Sequence, residues 1–317
     1  MDHSTITGVY LSETLDLDGL YGDLLRAQAP DITVLRPEEV TDPEAISFAL
    51  CWLPGAAAFD PYPNLKVAMS IGAGVDALLA HPGLRDGMRV ARVRDPHQAD
   101  LMAGFAVHEV LHDERGFGRM ADCARRAEWR PEPMRAPEAA TVAVLGNGTM
   151  GRAVARGCAA LGFDVRIACR SIPDEPMEGV TYCAGDAGIA EAAEGADYLI
   201  NVLPLTEATR DVLNAGLFAR LAPGARLIQI GRGEHLVEAD LTAALDGGQL
   251  AGATLDVFRE EPLPKDHPFW QDDRLRITPH VASDSIPEIV VAQAIETARA
   301  LRDGTPLTYA VDPARGY

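Results

Sequence analysis

Short apolar runs recur along the chain, separated by stretches long enough for a helix. In the N-terminal third, the runs at 7–11, 32–35, 45–52 and 67–70 read as strands with helical or loop material between them. That alternation predicts a small parallel-sheet domain. A helical pattern over 99–126 follows, then a Pro-rich stretch, PEPMRAPEA at 131–139, which reads as a linker and places a domain boundary in this region. Further strands are expected at 142–145, 163–168, 181–183, 198–203, 226–230, 253–257 and 276–278, each a helix-length apart, which is the doubly wound α/β pattern. A last amphipathic run at 287–302 lies beyond the final strand and is expected to pack back on the first domain, making that domain discontinuous. The expected partition is 1–98 with 287–317 for one domain and 99–286 for the other.

The run at 142–145 leads into Gly146, Gly148 and Gly151 at G-x-G-x-x-G spacing, and a helical pattern then continues to Leu161. In that context the first glycine permits the turn, the second lets a pyrophosphate approach the backbone, and the third lets helix and strand pack closely. The diphosphate would sit on the free N–H groups of the helix N-terminus. A dinucleotide is therefore the predicted ligand of the second domain. Its ribose is read at the end of the next strand, where an acid would bind a 2′-hydroxyl and an arginine would accommodate a 2′-phosphate. Here the strand ends Cys169-Arg170-Ser171, without an acid. NADPH is predicted over NADH, with NADH as the alternative. The following Asp174 and Glu175 would repel a 2′-phosphate that they faced.

Composition narrows the partners. A chain of 317 residues, 47% hydrophobic, can fill two cores. Its formal charge of −19 argues against nucleic acid and anionic membranes, so an anionic substrate needs a local positive site. Cys51, Cys123, Cys158, Cys169 and Cys183 are odd in number and form no C-x-x-C pair, and so read as reduced thiols, mostly buried. The first residues carry no export signal and no run is long enough to span a membrane, so the expected location is the cytoplasm.

One metal motif is present. His108-Glu109-Val110-Leu111-His112 matches H-E-x-x-H, which on a helix places two imidazoles on one face. No third ligand follows at the required spacing, so the segment reads as an ordinary helix surface and no metal is expected.

Three later pieces each put polar residues at the end of an apolar strand, where open α/β sheets bind ligands: IQIGRGEHLVEADL at 228–241, TLDVFREEPLP at 254–264 and ITPHVAS at 277–283. Together they offer Arg232, Asp256, Glu261 and His280. With the SIGAGVD loop at 70–76, the GNGTMG turn, NVLPLTEAT at 201–209 and the ending VDPARGY at 311–317, the chain resembles the D-2-hydroxyacid dehydrogenase family over nearly its whole length, and within it the branch that reduces glyoxylate and hydroxypyruvate.

The resemblance implies two Rossmann-like parallel-sheet domains, the substrate domain flavodoxin-like, with the active site in the cleft between them. It implies NADPH-dependent reduction of glyoxylate to glycolate and of hydroxypyruvate to glycerate. His280 would give the proton to the keto oxygen, since imidazolium titrates near neutral pH. Glu261 would orient it and favour its charged form. Arg232 would bind the substrate carboxylate through paired hydrogen bonds, with backbone N–H groups of Gly72, Ala73 and Gly74 assisting. The implied cofactor residues are Gly146, Gly148, Thr149, Met150, Gly151, Arg170, Ser171, Leu203, Pro204, Thr209, Ile230 and Asp256, the last on the nicotinamide side. Trp52 would line the substrate, with packing into the core as the equal alternative, whereas Trp270 reads as core packing. The family more often has Asn where Gln229 stands and Ala or Ser where Gly231 stands, and a glycine before Arg232 loosens its backbone. The resemblance also implies a homodimer with the 99–126 helical segment in the interface. The alternatives are a reductase of a larger 2-keto acid such as phenylpyruvate, and a dinucleotide-sensing binding protein.

Overall fold

The computed structural model describes residues 5–131 and 133–312; residues 313–317 of the VDPARGY ending and Glu132 of the Pro-rich stretch lie outside the described residues. The chain divides into two compact units, 1–97 with 284–317, and 98–283.

The first unit contains β1 (Ile6–Ser12), α1 (Leu17–Gln28), β2 (Ile32–Leu35), β3 (Ile46–Trp52), β4 (Val67–Ser70), α2 (Asp76–Leu79) and β5 (Arg89–Ala91). Its strands form one parallel sheet in the order β2-β1-β3-β4-β5, the flavodoxin-like order, which reverses between β1 and β3. Strand β5 is absent from the sequence reading because Arg-Val-Ala is too short to show a period. The C-terminal helix Pro287–Asp303 packs on this sheet, with Val290, Val291, Ala294 and Ala298 buried against Tyr10, Phe48, Leu50 and Met69. Burying an aliphatic side chain the size of Val or Leu stabilises by about 1.5–3 kcal/mol, whereas an exposed ion pair contributes about 1 kcal/mol at most. Apolar burial therefore dominates the return of this segment. Polar contacts set its register: Gln293 exchanges two hydrogen bonds with the backbone of Arg94, and Asp31 accepts from Arg299 and Arg302.

The chain enters the second unit along α3 (Pro96–Glu114), which is followed by α4 (Phe117–Arg125). The helical stretch expected at 99–126 is thus two helices. Gly116 lies between them at φ 65°, a left-handed conformation that glycine tolerates and that ends the first helix. The Pro-rich stretch does not separate the units. Arg135 ties it to Glu114 and Asp197 inside the second unit. Next come β6 (Thr141–Leu145), α5 (Thr149–Ala160), β7 (Asp164–Cys169), β8 (Val180–Ala184), α6 (Gly188–Ala193), β9 (Tyr198–Asn201), α7 (Ala215–Phe218), β10 (Ala225–Gln229), α8 (Glu238–Asp246), β11 (Leu250–Leu255) and β12 (Leu275–Ile277). The parallel sheet runs β12-β11-β10-β9-β6-β7-β8 and reverses between β6 and β9.

Strand β9 stops at Asn201, short of the expected 203, because Pro204 has no N–H and biases its predecessor away from a continued ladder. Trp270 does not pack into the core. It is 47% exposed on a short 3-10 turn, and its indole N–H donates to the Pro264 carbonyl at 2.8 Å. All five cysteines are free thiols, and four are buried. Among the described residues no helix is long and apolar enough to cross a membrane.

Candidate active site

In the second unit the turn after β6 is shaped by two steric facts. Gly146 sits at φ 112°, and a Cβ on Gly151 would lie 1.8 Å from the Gly146 carbonyl oxygen, so any side chain there would force the turn open. A Cβ on Gly148 would meet nothing within 4 Å, and Gly148 starts α5 without a side-chain cap. Between them the Asn147 Oδ1 is buried without a hydrogen-bond partner. An open backbone, an uncapped helix start and an orphaned acceptor fit a dinucleotide. Thr149 is exposed and Met150 half-buried on the first turn of α5; Arg170 and Ser171 are exposed at the end of β7.

Across the switch point the segment after β9 is bound to itself. Thr209 donates to the Pro204 carbonyl at 2.8 Å and accepts from the Thr206 N–H at 2.9 Å, while the Leu203 N–H donates to Asn201 Oδ1. Ile230 directs its side chain into the core, so only its backbone is available to a ligand.

Arg232, Glu261 and His280 follow β10, β11 and β12, all on the carboxyl edge of one sheet. His280 Nδ1 and Glu261 Oε2 are 2.8 Å apart, and Glu261 Oε1 accepts the Phe258 N–H at 2.9 Å. Burial alone would raise the Glu261 carboxyl. The His280 hydrogen bond, the Phe258 N–H and the charges of His280 and Arg232 outweigh it and hold the group below its usual range. The two side chains are 36% and 32% exposed, and a pair so placed adds about 1 kcal/mol or less to the fold.

His280 is presented by a strained backbone. Its φ is 55°, unusual for a non-glycine residue, and its N–H donates to the Asp256 carbonyl at 2.9 Å. The Asp256 carboxylate, 1% exposed, accepts from Thr278 Oγ1 at 2.6 Å, Val281 N at 2.8 Å and Ala282 N at 2.9 Å. Asp256 thus wraps the 278–282 segment around itself, and the structure assigns its carboxylate to that segment.

In the first unit Trp52 ends β3, half-buried, and a Cβ on Gly72 would lie 3.0 Å from its ring. The Gly72 N–H, expected to serve a substrate, donates to Ser70 Oγ at 3.1 Å, and Ser70 Oγ donates to the Gly74 carbonyl at 3.1 Å. Beside this turn lies a cation that the sequence reading passed over. Arg92 donates to the Ala73 carbonyl at 3.4 Å, its Nε is buried without a partner, and among the described residues no carboxylate pairs with it. Burial, and then the charge of Arg94, lower its pKa. An arginine followed two positions later by another, ARVR at 91–94, was the only signal for it.

Asn201 and His235 also escaped notice, because a buried polar residue looks like any other until the strands are assembled. The H-E-x-x-H segment lies on α3 with its imidazoles 5.7 Å apart. Glu109 is not on a helix surface as expected: it is 3% exposed, accepts from Thr254 Oγ1 at 2.6 Å and pairs with Arg276. Its buried carboxylate is neutralised by protein groups, and no group of three ligands suited to a metal occurs among the described residues.

Residues 107–282 match the family model described as D-isomer specific 2-hydroxyacid dehydrogenase, NAD binding domain. The chain belongs to the D-isomer specific 2-hydroxyacid dehydrogenase family. It is 41% identical over 288 residues to glyoxylate/hydroxypyruvate reductase A of Serratia proteamaculans, covering 89% of this chain and 91% of that one. A D-isomer specific 2-hydroxyacid dehydrogenase from Xanthobacter autotrophicus Py2, solved with NADPH and MES, superposes with a TM-score of 0.88 at 36% identity, covering 98% of this chain and 99% of that one. An NADPH-dependent glyoxylate/hydroxypyruvate reductase from Sinorhizobium meliloti, solved with NADP and sulfate, gives a TM-score of 0.88 at 32% identity, with the same coverage.

The His280–Glu261 contact makes a prediction. Glu261→Gln removes the carboxylate that holds the His280 ring, and turnover of a 2-keto acid at neutral pH drops about 10- to 100-fold. Steady-state kcat and KM check this; unchanged turnover contradicts the role given to Glu261.

Proposed function

We propose that this protein reduces small 2-keto acids to 2-hydroxy acids with NADPH, glyoxylate and hydroxypyruvate being the preferred substrates. The observation that carries the proposal is the 2.8 Å His280–Glu261 contact on the same sheet edge as Arg232 and the open Gly146–Gly151 turn. Its support is family membership and the names of the relatives.

When bound, the nicotinamide supplies the hydride to the keto carbon. Arg232 holds the substrate carboxylate and draws charge toward the carbonyl oxygen. His280, held by Glu261, gives a proton to that oxygen as hydride arrives at the carbon, so the product leaves as the 2-hydroxy carboxylate with its hydroxyl formed. In this reading 99–286 is the dinucleotide-binding domain and 1–98 with 287–317 the substrate domain. Trp52 and the turn residues Ala73 and Gly74 serve the substrate. The Gly72 N–H is already spent on Ser70, and Arg92 adds positive potential to the turn. Asp256 acts by holding His280, and Gly146, Gly148, Thr149, Met150, Gly151, Leu203, Pro204, Thr209 and the Ile230 backbone face the cofactor.

The preference for NADPH rests on Arg170 and Ser171, on the absence of an acid at the end of β7, and on relatives solved with NADPH or NADP. Five free thiols suit a reducing cytoplasm. The working unit in this reading is a homodimer. Trp129, 98% exposed, lines an apolar groove with Met120, Ala124 and Pro131 next to α4. An apolar surface of this kind fits a second copy better than water.

Oxidation of NADPH and of NADH over glyoxylate, hydroxypyruvate, pyruvate and phenylpyruvate tests the proposal. The highest kcat/KM is expected for NADPH with glyoxylate or hydroxypyruvate; preference for phenylpyruvate or for NADH contradicts the corresponding half. Sedimentation tests the assembly: the native chain runs as a dimer and Trp129→Glu as a monomer, whereas a native monomer overturns this part of the reading.

A further inference from the structure

The carboxyl ends of β9 and β10 and the turn Gly233–His235 enclose three polar side chains, Asn201, Gln229 and His235, each 0% exposed. Together they grip the backbone of Arg232. The Arg232 N–H donates to His235 Nδ1 at 3.1 Å, and its carbonyl accepts from Gln229 Nε2 at 2.7 Å and from the His235 N–H at 3.0 Å. Asn201 Nδ2 donates to Gln229 Oε1 at 2.7 Å and to His235 Nδ1 at 2.9 Å, and the Gly231 N–H donates to Gln229 Oε1 at 3.2 Å. The Arg232 guanidinium also returns to the Gly231 carbonyl at 2.9 Å.

Two N–H donors converge on His235 Nδ1, so that nitrogen carries the lone pair and the ring proton is on Nε2, which faces the Pro204 carbonyl at 3.3 Å. The cage also explains the glycine before Arg232. A Cβ on Gly231 would lie 2.8 Å from Asn201 Nδ2 and 3.0 Å from His235 Nδ1, so this cage and a side chain at 231 exclude each other. What looked in the sequence like a loosened backbone is a backbone fixed from both sides by buried side chains.

We propose that His235, as the neutral Nε2–H tautomer, is a positioning residue for Arg232: with Asn201 and Gln229 it sets the direction in which the guanidinium leaves the sheet edge. The same ring contacts the Pro204 carbonyl, joining the arginine to the segment after β9. The inference rests on the reading of Arg232 as the substrate-binding cation.

The test compares His235→Leu, which fills space but accepts nothing, with His235→Asn, whose Oδ1 stands close to the place of Nδ1, and His235→Gln, whose amide nitrogen reaches toward Pro204. Losing the acceptor raises the KM for the 2-keto acid about 10-fold in His235→Leu and His235→Gln, the scale of a buried donor left unsatisfied. The Kd for NADPH, from fluorescence titration, stays within about 2-fold of the native value, and His235→Asn recovers most of the KM loss. Nitrogen NMR of the native protein shows one bare and one protonated ring nitrogen at His235. An unchanged KM in His235→Leu overturns the proposal, as does a loss in His235→Asn equal to that in His235→Leu. So does a KM that changes only in step with NADPH affinity and thermal midpoint. If His235→Leu does not fold, Gly231→Ala presses on the same cage and gives the same KM-selective loss; an unchanged KM there contradicts the inference. Arg232→Met separates the two readings. If it leaves the 2-keto acid KM unchanged, the functional reading fails; if it raises KM while His235→Leu does not, only the role of His235 fails.

Discussion

A parallel sheet covered on both faces must keep its strands apolar, and this constraint governs the second unit. Val142, Val144, Ile200, Leu227, Ile228 and Leu255 are almost completely buried, so polar groups collect at the carboxyl ends, where all the strands finish on one edge. Gly146 follows β6, Asn201 ends β9, Gln229 ends β10 with Arg232 just beyond, Asp256 follows β11 and His280 follows β12. Residues more than a hundred positions apart thereby share one edge without any long-range contact designed for each.

Buried charges and amides on that edge have to be satisfied, and satisfying them sets the geometry of the chemistry. Asp256, 1% exposed, would be costly without its three donors, and accepting them curls the 278–282 segment so that His280 adopts a positive φ. Asn201, Gln229 and His235 do the same for Arg232. The side chains proposed to meet substrate are the more exposed ones, and their contacts with each other add little to the fold. Rigidity lies beneath the site and reactivity at its surface.

Much of this was legible in the sequence. The strands at 32–35 and 67–70 have the bounds read from the apolar pattern, and the glycine turn needs no tertiary information because its spacing is a local steric signature. The placement of Glu261 and His280 on one sheet edge was legible through their order and their strand ends. The break at Gly116 was not, since one glycine in an amphipathic run signals a cap only when the next helix changes direction. Trp270 was misread because size predicts burial only on average. Arg92, Asn201 and His235 were silent, because the meaning of a polar side chain in the interior depends on strands that are remote in sequence. Gly231 shows the same limit in reverse: a flexible residue in the sequence is a tightly held one in the fold.

In the proposed reaction His280 supplies the proton while the rest of the site binds and orients. Single-turnover mixing of His280→Gln, preloaded with NADPH, against glyoxylate tests it most directly. NADPH is expected to bind this variant as it binds the native protein, with a hydride-transfer rate reduced by about 100-fold or more. Transfer at the native rate in that variant would contradict it.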